Sequence, residues 1–115
     1  MGVRESLKKG VIELLVLSVL SEEDMYGYQI TQTITERSGG LFRILEGSLY
    51  PILYRLAKEG YLSEHTEMVK RRVRVYYHME QAGKAHFEEC LREYAVVNSG
   101  VEKVVGDPLT SAYSK

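Results

Sequence analysis

The stretch that most limits how this chain can fold is Tyr61–Met79. YLSEHTEM and VRVYYHM read as two strands, rich in Tyr and Val, around a basic tip, VKRR. In the second strand Val73, Val75 and Tyr77 alternate with Arg74, Tyr76 and His78, so one face is expected to be wet. The long segments on either side carry helical signals, so this hairpin has to sit among helices.

From Glu5 to Leu20, Leu7, Val11, Leu14, Leu15 and then nearly every position are apolar, which predicts a helix buried on most sides. Asp24 can cap a second helix, MYGYQITQTITERS, with Ile30 and Ile34 inward and Gly39-Gly40 ending it. LFRILEG is a short connection with room for one brief strand. Ser48 is a good N-cap for the third helix, Pro51 falls in its first turn, and Gly60 stops it. A last helix runs from about Gln81 to at least Val97. Gly100, Gly106 and Pro108 argue for a loose tail near the end. The division expected is residues 1–79, 80–105 and 106–115: a winged-helix domain, a C-terminal dimerisation helix and a flexible tail. The order is helix, helix, helix, hairpin, helix. A helix-turn-helix followed by a two-stranded hairpin is the winged helix-turn-helix arrangement, mainly α with a small β-hairpin, in which the third helix enters the DNA major groove.

At 115 residues the chain is expected to form one main core. One cysteine, Cys90, rules out an intramolecular disulfide and suits a reducing cytoplasm. Arg4, Lys8 and Lys9 precede the apolar run VIELLVLSVL, as in a secretory signal. Glu13 interrupts that run, no small-residue cleavage site follows, and ten residues are too few to cross a bilayer. Neither a catalytic nucleophile with its base and orienter, nor a phosphate-cradling Gly loop, nor paired carboxylates at a cleft can be picked out. The chain therefore reads as non-enzymatic and without a cofactor.

The formal net charge of −1 hides an uneven distribution. From Tyr54 to Arg74 there are six Lys/Arg and three Glu, a balance of +3 against −4 for the remainder. The basic segment is what a phosphate backbone would meet. On the third helix Leu49, Ile52, Leu53 and Leu56 form the core stripe. Tyr50, Tyr54 and Lys58 make a row on the opposite side, with Pro51 and Arg55 beside it. Exposed tyrosines gain little from water, but their hydroxyls can meet phosphates or base edges while the rings pack on sugar or a thymine methyl. Arg55 and Lys58 can neutralise phosphates or read guanine, and Ser48 at the helix N-terminus suits a phosphate or base contact. The competing reading is a face that packs on a partner protein. Lys70, Arg71, Arg72 and Arg74 at the hairpin tip suit phosphate or minor-groove contact; alternatively they are solvated charges that protect a strand edge.

These segments resemble a known family. EGSLYPILYRLAKEGYL resembles the recognition-helix signature of the PadR-like transcriptional regulators, and MYGYQI the start of their second helix. RVYYHMEQAGKAHFEE resembles their second wing strand and the linker into the dimerisation helix. The resemblance spans roughly Leu7 to Tyr94. It implies a homodimer that binds an inverted repeat in double-stranded promoter DNA, usually as a repressor, sometimes released by a small-molecule inducer. Phe87, Tyr94 and the first helix would line a gap between subunits for such a molecule. It also implies that Tyr26 and Tyr28 help fix the second helix against the DNA backbone; the alternative is that at least one is core. In two places the chain departs from the family: MVKRRV lacks the common Gly and Pro, and Glu80 stands where members usually have Ser or Thr as an N-cap.

On the last helix Cys90, Tyr94, Val97, Val101 and Val104 recur at +4, +3, +4 and +3, the seam spacing of a coiled coil, and Phe87 and Leu91 widen the stripe. A second chain is the expected cover, although part of the stripe must dock on the chain's own core. His86 and Cys90, four residues apart, can share a metal, which leaves a metal sensor as a rival reading. No third ligand is evident from the sequence, so no metal is assigned.

Overall fold

In the computed structural model, residues 8 and 10–106 are described. From residue 10 on, the described residues form four helices and three strands in order: α1 (Ile12–Leu20), β1 (Met25–Tyr26), α2 (Gly27–Arg37), α3 (Glu46–Lys58), β2 (Leu62–Val69), β3 (Arg72–Met79) and α4 (Gln81–Val105). The strands form one antiparallel sheet in the order β1-β3-β2. This is a winged helix with a long terminal helix attached, the class that the order of segments predicts. Among the described residues no helix is long and apolar enough to cross a membrane.

The core lies where α1, α2, α3 and the base of the hairpin converge. Val16, Leu17, Ile30, Leu49, Leu53 and Leu56 have no exposed surface, and Leu20, Met25, Leu62 and Tyr77 close around them. The three leucines of α3 are buried and Ile52 is half-buried, so that helix inserts the stripe its spacing predicts. A buried side chain of this size contributes ~1.5–3 kcal/mol. The α3 stripe alone therefore outweighs any propensity term in fixing the helix.

Several local expectations are corrected. A turn at Gly10–Val11 precedes α1, so the helix expected over Glu5–Leu20 is interrupted there; its residues 5–7 and 9 lie outside the described residues. Asp24 does not cap α2. Tyr26 stands at that position without a side-chain cap, and Asp24 instead meets His78, with Oδ1 2.7 Å from Nδ1. That contact fastens the start of β1 to β3, where Met25 lies opposite Tyr77 and Tyr26 opposite Tyr76. LFRILEG forms no strand; the extra strand is β1 instead. Ser48 is not the cap of α3 either. The helix begins at Glu46, with Leu45 as its cap, and the Leu45 carbonyl accepts from the Ser48 and Leu49 amides at 2.9 and 3.0 Å. Pro51 consequently lies inside the helix rather than in its first turn, where its missing N–H removes the bond that Gly47 would accept. Val73 and Val75 are exposed as well, so only the base of the hairpin, through Tyr77, reaches the core.

Other expectations hold. Gly39 and Gly40 adopt φ of +62° and +85° after α2, and Gly60 adopts φ of +85° after α3. Glu80 makes no side-chain cap for α4. The helix then runs unbroken to Val105, past Gly100, and Gly106 ends it; residues 107–115 of the expected tail lie outside the described residues.

Candidate nucleic-acid interface

α3 divides cleanly into two faces. With Leu49, Leu53 and Leu56 buried, the row of Tyr54 and Lys58 stands out in solvent, flanked by Ser48, Pro51 and Arg55. Tyr54 is 67% exposed. Tyr50 is more constrained, because its hydroxyl lies only 2.4 Å from where a β-carbon on Gly27 would stand. A side chain at position 27 would have to displace the Tyr50 hydroxyl, which lies against the start of α2 and links the two helices. A shallow cleft lined by Tyr28, Thr31, Gln32, Arg43 and Leu45 follows α2 to the cap of α3. Arg43 and Leu45 sit in a connection with no periodicity, so the sequence pattern does not single them out.

Arg55 is exposed but paired. Its guanidinium donates to the Glu13 carboxylate of α1, and His86 of α4 lies on the carboxylate's other oxygen, with Nε2 3.0 Å from Oε2. Burial raises the Glu13 carboxyl, but the hydrogen bonds from Arg55 and His86 outweigh it and hold the group below the usual carboxylate range. Glu13 carries one legible signal: a lone carboxylate in a largely buried apolar helix must find partners.

The wing presents its charges differently. Lys70 and Arg71 form the two-residue tip between Val69 and Arg72, with φ of +49° and +66°. Two positive φ values in a two-residue hairpin loop describe a type I′ turn, ordinarily the place of Asn and Gly. Among the described residues Lys58, Lys70, Arg71 and Arg72 have no carboxylate partner. Arg74 lies over the Tyr26 ring at 4.4 Å, and Tyr26 meets Tyr76 edge to face at 5.5 Å. His65 stacks on Tyr76 from the other side at 5.6 Å. This ladder occupies the wet face of the sheet, and it commits Tyr26 to packing within the sheet. Tyr28, two residues on, is 62% exposed.

On α4 the apolar stripe changes character along its length. Phe87 and Cys90 pack against the chain's own core. Burial pushes the Cys90 thiol up, with Glu13 and Glu89 adding to the effect. From Leu91 onward the apolar side chains are uncovered: Tyr94, Val97, Val101 and Val104 are 47%, 63%, 52% and 86% exposed.

Comparison with known proteins places these features in a family. A sequence model of the Transcriptional regulator PadR-like family matches residues 16–89. An uncharacterized protein of Lysinibacillus sphaericus is 33% identical over 104 residues, covering 87% of this chain and 93% of its own length. A transcriptional regulator from Clostridium thermocellum superposes with a TM-score of 0.81 at 28% identity, over 87% of this chain and 98% of that one. A PadR family transcriptional regulator from Eggerthella lenta superposes with a TM-score of 0.80, also at 28% identity, over 88% and 87% of the two chains.

Proposed function

This chain belongs to the PadR-like family of transcriptional regulators, and on that premise we propose that it represses a promoter as a homodimer bound to a palindromic operator. α3 reads the major groove while the wing holds the flanking backbone, and α4 pairs with a second copy. Two-fold symmetry then sets the half-sites about one or two helical turns apart, on the order of 34–36 Å per turn.

The observation that carries the DNA reading is the absence of carboxylate partners for Lys58, Lys70, Arg71 and Arg72 among the described residues, in a chain whose acids outnumber its bases. Cations without partners on a recognition helix and at a wing tip are available to phosphates. Tyr54, the most exposed side chain of the aromatic row on α3, suits a base edge or a register-setting phosphate. Arg55, tied to Glu13, is assigned to holding α3 on α1 rather than to DNA.

The test is binding to duplex DNA from upstream of the protein's own gene against a random duplex. Tyr54→Ala should cost roughly 1–3 kcal/mol per half-site on the operator and much less on random DNA. Arg72→Ala should weaken both alike and lower the slope of log K against log salt by about one unit per half-site. If neither substitution changed binding to either duplex, the exposed row of α3 would face a protein partner instead.

A further inference from the structure

The residues that join α1, α3 and α4 form a second constellation, apart from the DNA-facing surfaces. Glu13, His86 and Cys90 each offer one ligand atom, and the three atoms lie within 4.8 Å of one another. Cys90 Sγ is 3.6 Å from His86 Nε2, which is 3.0 Å from Glu13 Oε2. Tetrahedral zinc with bonds of ~2.0–2.3 Å sets neighbouring ligand atoms about 3.3–3.7 Å apart. The Cys90–His86 separation already fits, and the His86–Glu13 pair would need to open by only a few tenths of an ångström. The geometry points to a metal site for a thiophilic divalent cation of the zinc type, held by the Glu13 carboxylate, the His86 imidazole and the Cys90 thiolate, with water in the fourth position.

Three features support this over a purely structural hydrogen-bonded triad. The ligands are already oriented. Tyr61 stacks flat on the His86 ring, with centroids 4.1 Å apart and planes 4° apart, and Arg55 holds Glu13 Oε1 while Oε2 meets His86. Outer partners that fix a ligand's orientation are a recurrent property of metal sites. The charges also balance: a dication beside Arg55 is met by Glu13, the Cys90 thiolate and Glu89, whose charge already acts on Cys90. Finally, all three ligands are half-buried, not sealed, and a surface cleft lined by Tyr61, His86, Glu89 and Arg92 opens beside His86. Binding releases the Cys90 thiol proton to solvent and requires the neutral His86 ring to carry its proton on Nδ1 instead of Nε2, while the Arg55–Glu13 contact stays intact. The ligands join α1 to α4, the helix bearing the exposed stripe, and Arg55 ties the cluster to α3.

Cobalt(II) is the probe, because its thiolate charge-transfer absorption can arise here only from Cys90, the chain's one cysteine. Titration of the reduced full-length protein should give one cobalt per chain with that absorption and a tetrahedral d–d spectrum, displaced by zinc. Cys90→Ser should abolish the charge-transfer absorption. His86→Gln should weaken binding by about tenfold or more. His78→Gln is the control, since His78, His65 and Asp24 make a competing cluster on the sheet, and it should leave the spectrum unchanged. Thermal melts of the metal-free variants check that each remains folded. No saturable binding at micromolar cobalt or zinc would overturn the site, as would binding of undiminished affinity by a folded Cys90→Ser. Neither outcome bears on DNA recognition, which is measured separately.

Discussion

Gly83 and Gly100 lie on the same helix, yet a methyl group should act on them in opposite directions. A β-carbon on Gly83 would stand 2.1 Å from the Tyr61 carbonyl oxygen, a backbone atom that also accepts from the Glu80 amide at 3.0 Å. Gly83→Ala must therefore push α4 off the turn at Tyr61 between α3 and β2, at a cost near the upper end of the ~1–3 kcal/mol typical of overpacking. A drop in melting temperature of ~10 °C or more is expected. Nothing lies within 4 Å of a β-carbon at Gly100, so Gly100→Ala should gain ~0.5–1 kcal/mol from helix propensity alone. Equal melting temperatures for the two variants would contradict this packing of α4. His78 supplies a pH dependence. The Asp24 hydrogen bond raises its pKa in the folded state, so the charged form is favoured by folding. That stability is fully present below the unfolded value of ~6.5 and is lost as pH rises through the higher folded value. The pair is solvent-exposed, so a few tenths of a kcal/mol is the expected scale. Melts from about pH 5.5 to 8.5 should fall slightly on the alkaline side, and His78→Gln should flatten that fall. An unchanged slope in His78→Gln would assign the effect to other groups.

At the scale of elements, the wing tip sets conformational preference against charge. Lys70 and Arg71 occupy left-handed backbone, which costs a non-glycine residue roughly 1 kcal/mol or more. Lys70→Asn with Arg71→Gly installs the pair that a type I′ turn favours, and it should stabilise the hairpin by ~1 kcal/mol after the added freedom of glycine is subtracted. The same double change removes two cations per chain, so the salt slope of DNA binding should fall by about two units per half-site. A variant that melts higher and binds DNA less would separate the two demands on this turn. If the salt slope stayed constant, the tip would lie away from phosphates.

What the sequence could reveal also divides by element. The stripe of α3 was readable because burial imposes its own period, and the β2–β3 hairpin because β-branched and aromatic residues alternate around a short polar tip. β1 was not, since two residues have no period and Met25–Tyr26 is a strand only because β3 offers it an edge. Asp24 and Ser48 both fit N-cap statistics. Asp24 lies beside His78 instead, and α3 extends one turn further back than Ser48 because Leu45 opens it through its backbone carbonyl. The third member of the Glu13–His86–Cys90 cluster was hidden by 73 residues of separation between Glu13 and His86. Local spacing cannot report such a distance, whereas His86 and Cys90 were visible at four.

Across the whole molecule, α4 carries an apolar stripe out beyond the chain's own core. Its 25 residues extend ~37 Å, and the chain measures 61 × 27 × 22 Å. The first turns dock through Gly83, His86, Phe87 and Cys90, but beyond Leu91 every residue of the helix is exposed. A solitary helical arm with Leu91, Tyr94, Val97, Val101 and Val104 in water gains nothing from packing, and isolated helices of this length are marginal. A second copy laid along the stripe, as proposed, would cover it. Burying even half of these side chains at ~1.5–3 kcal/mol each begins to offset the 4–15 kcal/mol cost of association. Val97→Glu with Val101→Glu places two like charges per chain in the proposed seam, beyond every contact of α4 with its own core. Sedimentation should then show monomer at concentrations where the unaltered protein is dimeric. Ellipticity should report fraying of the outer half of α4, with the core still melting cooperatively. Operator affinity should fall toward the random-duplex value, since one half-site no longer positions the other. If the variant stayed dimeric with an unchanged dissociation constant, the chains would pair through a different face and the exposed stripe would need another partner.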